Sequence, residues 1–206
     1  MRLGAIEQEY GDRIQVHWRA FPLIPGEQPG RVVTEKTREG RRRVGADEPG
    51  ARFVPPPVGA ALPASSLPAL VAAKCAERQG EAAFRRLRDR LFLAHFKDNL
   101  DIGRPDVLGR LAGASGLDLA RLQQDQAAGE AYQAVLADYA EGAAWFGVSA
   151  IPAVVVNEKV SVVGAVPVER YRAILDWILA GEPGGLVPLP PEGAEAGVTR
   201  PGAAAG

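Results

Sequence analysis

The chain has 206 residues, 47% of them hydrophobic and 24% charged, with a formal net charge of −1. This is the balance of a globular protein, long enough for one core-forming domain with an inserted subdomain, and its charge gives no reason to expect nucleic-acid or anionic-membrane binding. No apolar run reaches the roughly 18 residues of a transmembrane helix, and the N-terminus turns acidic at Glu7, too soon for a signal peptide, so a cytoplasmic protein is expected.

Leu3, Ile6 and Tyr10 fall at helical spacing, and Gly11 reads as the stop. No N-cap residue precedes Leu3, so the helix reads as already under way at Met1. Ile14-Gln15-Val16-His17-Trp18 alternates like a strand, ended by Pro22 and Pro25. Residues 26–65 carry no clear period and read as an irregular connection; within it, Arg38 to Arg43 is a basic run best explained as a solvated face. Ser66 is placed to cap a helix with Pro68 in its first turn and Leu67, Leu70, Val71 and Cys75 on one face. Glu81 to Phe96 has the strongest helical pattern, with Phe84, Leu87, Leu91 and His95 as its apolar stripe. Further helices are predicted over 105–115, after the Asp118 cap, and over 130–146, making 66–146 an all-helical block.

The period then changes. Ala153 to Val156 and Val160 to Val163 read as two strands of a hairpin turning at Asn157-Glu158-Lys159. A final helix is predicted over 168–180, with Tyr171, Ile174, Leu175 and Ile178 on one stripe. Residues 182–206, rich in Gly, Pro, Ala and Glu, read as a disordered tail.

Trp145-Phe146-Gly147-Val148-Ser149-Ala150-Ile151-Pro152-Ala153-Val154-Val155-Val156 resembles the segment of the DsbA family in which a proline precedes the first strand of a hairpin. Val16-His17-Trp18-Arg19-Ala20-Phe21-Pro22-Leu23, Asp101 to Leu108 and Gly116-Leu117-Asp118 resemble stretches of its FrnE-like branch. The resemblance covers roughly 3–180, apart from 26–60. It implies an α/β class, thioredoxin-like fold with an inserted all-helical subdomain. The implied parts are 1–25 and 147–181 of the thioredoxin-like fold, with 66–146 inserted. It also implies that the Ile151–Pro152 bond is cis and that these two residues bind an extended peptide or small thiol substrate.

Members of that family begin with a strand and a C-x-x-C motif. Cys75 is this chain's sole cysteine, so no such motif is present, and no catalytic residue is assigned. The first strand is missing with it. In the implied fold that strand lies between Ile14–Trp18 and Ala153–Val156, so its loss leaves a gap of about two 4.8 Å strand spacings. A natural start upstream of Met1 is the expected explanation.

Cys75, on an apolar stripe, is expected to pack as a small hydrophobe. His95 is expected to be a core histidine, His17 a packing or surface residue, and Trp18 and Trp145 core aromatics. No metal site and no cofactor are expected. Three functions follow from the resemblance: a thiol–disulfide oxidoreductase, a glutathione-dependent isomerase of the 2-hydroxychromene-2-carboxylate isomerase type, for which glutathione would be the cofactor, or a non-catalytic peptide-binding protein. The sequence does not specify the oligomeric state.

Overall fold

The computed structural model describes residues 2–185 and 198–199. Eight α-helices and three short strands are present among them: α1 (Arg2–Tyr10), α2 (Glu35–Asp47), α3 (Leu67–Glu77), α4 (Glu81–Phe96), α5 (Pro105–Ala114), α6 (Leu119–Ala128), α7 (Glu130–Ala144), β1 (Ala153–Val156), β2 (Val160–Val163), α8 (Val168–Leu179) and β3 (Val198–Thr199). The chain divides into two compact units, residues 1–19 with 138–206 and residues 20–137, so the division falls within α7.

The first unit holds the sheet, ordered β1-β2-β3 with both pairings antiparallel. β1 and β2 form the predicted hairpin in the register Ala153↔Val163 to Val156↔Val160. Its turn places Asn157 and Glu158 at positive φ, the geometry of a type I′ turn, whose twist matches that of the strands. Val156, Val160, Val162 and Val166 pack with Ile6 and Tyr10 of α1 and with Tyr171, Ile174 and Trp177 of α8. Ile174, Val160 and Val162 are fully buried, so the apolar stripe of α8 and one face of the hairpin close one core.

Polar contacts fix α1 on α8. The Tyr10 hydroxyl donates to Asp176 Oδ1 at 2.7 Å, and Arg172 pairs with Glu9 at 2.9 Å. Burial first, and the bond to Asp176 second, push the Tyr10 phenol up to about 12.

The second unit is helical. α3 packs on α4, α5 and α6, and α4 also packs on α5. Phe84, Leu87 and Leu91 are buried as their spacing predicts. On α3 the fully hidden face is Ala69, Ala72, Ala73 and Ala76 with Cys75, while Leu67, Leu70 and Val71 are only half-buried. The small side chains let neighbouring helices approach closely, so α3 is central to the unit despite its modest residue volumes.

Asp118 caps α6, accepting from the Arg121 N–H at 3.0 Å. Ser66 does not cap α3. Its hydroxyl accepts from the Ile24 N–H at 3.1 Å, and Ser65 Oγ accepts from the Leu67 N–H at 3.1 Å instead.

Three further expectations are corrected. Ile14–Trp18 is not a strand, and Gln15, Val16 and His17 are exposed. Its alternation suits an extended chain, but a strand needs a ladder, and no described residue supplies one. The connection 26–65 contains α2, capped by Thr34, whose side chain accepts from the Thr37 N–H at 3.2 Å. Glu35–Arg38 and Glu39–Arg42 pairs support it at i,i+3. Trp145 is 73% exposed, following directly on the end of α7 rather than packing in a core. Of the predicted tail, Val198–Thr199 pairs with β2, and residues 186–197 and 200–206 lie outside the described residues.

Candidate functional site

The segment 145–152 leads from α7 into the sheet. Phe146 is tied down by β2: the Ser161 hydroxyl, fully buried, donates to the Phe146 carbonyl at 3.1 Å. Gly147 then takes φ +62°, a conformation that favours glycine, and Val148 returns to the interior, donating its N–H to the Gly142 carbonyl at 2.9 Å. Ser149 and Ala150 are exposed. The chain then reaches Ile151, 46% exposed, and Pro152, also exposed, through a cis peptide bond.

The Gly164 N–H donates to the Pro152 carbonyl at 2.8 Å, extending the hairpin register by one pair. Proline has no N–H to return, so the missing donor falls where the ladder begins. That bond also fixes the direction of the backbone groups that follow. Antiparallel pairs alternate between hydrogen-bonded and non-bonded. Val154 and Val156 therefore bond to β2, while the N–H and C=O of Ala153 and Val155 point to the opposite edge. Among the described residues no strand pairs with that edge.

The site is thus an exposed Ile-Pro step running straight into an open sheet edge, with Ser161 fixing the loop before it. Such an edge can bond the main chain of an extended segment. The Ile151–Pro152 step named from the resemblance is exposed and stands at the start of this edge. The outward direction of the Ala153 and Val155 backbone was not legible in sequence, because the ladder phase is fixed by the Gly164–Pro152 bond, which only the folded hairpin forms. Ser161 was missed because a serine within a valine strand gives no sign of its partner 15 residues away.

Cys75 belongs to the other unit. It is fully buried, and burial first, with nearby Asp125 second, pushes its thiol up to about 11, so it is held as the unreactive thiol. His17 is exposed, and His95 lies on α4 in the second unit. Among the described residues no His, Cys, Asp or Glu cluster could hold a metal ion, and no helix is long and apolar enough to cross a membrane.

Comparison with known proteins agrees with the architecture. Among solved structures the chain resembles "a putative protein disulfide isomerase from Nitrosomonas europaea", with a TM-score of 0.67 and 20% identity, over 87% of this chain and 89% of that one. At that identity the likeness speaks for the fold. No curated protein sequence matches. The family model described as a DSBA-like thioredoxin domain matches residues 1–176, which takes in α1, the helical unit, the Ile151–Pro152 step, the hairpin and most of α8. With that match and that fold, the chain belongs to the DSBA-like thioredoxin domain family.

Proposed function

We propose that this chain is the substrate-binding body of a thiol–disulfide oxidoreductase of the FrnE-like branch, its reactive dithiol lying on a strand–helix segment outside the given residues and docking on the open edge of β1. The observation that carries the reading is that edge, which begins directly after the exposed Ile151–Pro152 step. An extended peptide bearing a disulfide would lie along Ile151, its main chain held by the backbone groups there. Exchange needs a thiolate to attack the disulfide and a second thiol to resolve the mixed disulfide. Cys75, buried and protonated, is suited to neither role.

The test is the coding sequence in frame before Met1. A β-rich run followed by C-x-x-C is the expected result, and a stop codon directly before Met1 refutes the reading. A parallel expectation is that the chain alone does not accelerate insulin reduction by dithiothreitol. A rate above background that Cys75→Ser abolishes would overturn the assignment of Cys75.

A further inference from the structure

The helix α2 docks on the second unit in an unusual way. None of its described side chains is buried, and its half-buried stripe is Thr37, Arg38, Arg41 and Gly45, with no large apolar residue. A helix normally attaches through an apolar face. Here one arginine carries much of the attachment. Arg41 Nη1 donates to the Asn99 side-chain oxygen at 2.8 Å and to the His95 carbonyl, in the last turn of α4, at 3.2 Å. Its guanidinium also lies over the Phe96 ring, 5.1 Å from the centroid.

The third bond is the informative one. Arg41 Nη2 lies 3.2 Å from His95 Nε2. A guanidinium can only donate, so Nε2 must accept, and the imidazole must be neutral with its proton on Nδ1. That Nδ1 is buried, and a backbone hydrogen bond with Leu100 favours the protonated ring while Arg41 opposes it. Protonation at Nε2 would destroy the acceptor and set imidazolium against guanidinium at contact distance. We propose that α2 is a flap held shut by the Arg41–His95 bond and released when His95 takes up a proton.

The charged neighbours favour a sharp response. Arg41 on α2 and Arg31 in the segment before it oppose a charge on His95, and Asp101, in the loop after α4, favours one. Asp101 is partly engaged, accepting from the Gly103 N–H at 2.9 Å. Burial above all, then Arg41, holds the imidazole down at about 4. Freed from α2, it would return toward the ordinary value near 6.5. Release uncovers the recess lined by Val33, Arg41, His95, Asn99 and Leu100, and exposes the side of Phe53 against which the Gly45 backbone rests, its ring staying on Phe96.

Amide hydrogen exchange tests this on the full chain. Corrected for intrinsic exchange rates, opening of α2 should rise between near pH 7 and near pH 4 by at most about 100-fold, the ratio for an imidazole moving fully from about 4 to about 6.5, while α3 and α4 keep their protection. His95→Gln keeps an acceptor but cannot ionise, and should hold α2 equally at both pH values. Unchanged α2 protection in the native chain, or an equal acid loss in His95→Gln, overturns the proposal. Should His95→Gln not fold, removing the exposed His17 by His17→Gln leaves one imidazole to follow by NMR. The α2 amide resonances must then titrate with the His95 midpoint, and separate midpoints overturn the proposal.

Discussion

Replacing Ser161 by alanine removes a hydrogen bond that ties the loop before Pro152 to the sheet. The Ser161 hydroxyl is fully buried and donates to the Phe146 carbonyl at 3.1 Å. Alanine removes the donor with little change in volume, so no large cavity is created. An intramolecular hydrogen bond contributes about 1 kcal/mol net, and a buried acceptor left without a donor costs about 1–3 kcal/mol. Phe146 itself is half-buried, so water can partly replace the lost donor. The expected loss is therefore about 1–2 kcal/mol, at the lower end of that range. In a chain of this length each kcal/mol lowers the melting temperature by about 2–4 °C. Urea denaturation followed by circular dichroism measures the first quantity. Hydrogen exchange over 146–151 measures whether the loop has come loose. A loss under about 0.3 kcal/mol together with unchanged exchange would refute the view that this hydroxyl holds the loop.

Other expectations test the two cores and the buried groups. Leu91→Ala in α4 removes a buried side chain and should cost about 2–5 kcal/mol in urea denaturation, and a value below about 0.5 would show that this stripe does not pack. Cys75 should resist thiol reagents in the native state and react fully in denaturant, and rapid native labelling would contradict its burial. Tyr10 holds its proton up to about 12 when folded, against about 10 unfolded, so its contribution to stability is intact below pH 10 and lost as the pH rises toward 12. Asp176→Asn should lower the folded midpoint, read by ultraviolet titration of tyrosinate, and a rise would contradict the hydrogen-bond geometry.

The parts of the fold legible in sequence are those whose own residues carry the driving force. Phe84, Leu87 and Leu91 are large, apolar and spaced at helical period, so their burial followed from pattern. Ala153–Val156 and Val160–Val163 are β-branched runs around a tight turn, and their pairing is local. Ile14–Trp18 has the alternation of a strand, but pairing depends on a partner distant in sequence, and none is present among the described residues. The helix α2 was missed because an apolar period is the usual signal, and α2 docks through Arg41. Trp145 shows the opposite error: a large aromatic beside Phe146 reads as core, yet the end of α7 turns it to solvent. At the site, the Ile151–Pro152 step was legible through resemblance. The Ser161 bond to Phe146 was not, because only the completed fold brings them together.

The border of β1 that no described strand covers also bears on how the chain behaves in concentrated solution. Ala153-Val154-Val155-Val156 is uncharged, lacks internal proline and has high strand propensity, and its outward N–H and C=O groups are ready to accept another chain. Proteins usually protect such borders with lysine, proline or a bulge. Here the protection is confined to the ends, with Pro152 on one side and Glu158 and Lys159 on the other. Purified material is therefore expected to self-associate border to border as its concentration rises, and the solubility of the isolated chain will be set by these four residues more than by its near-zero net charge.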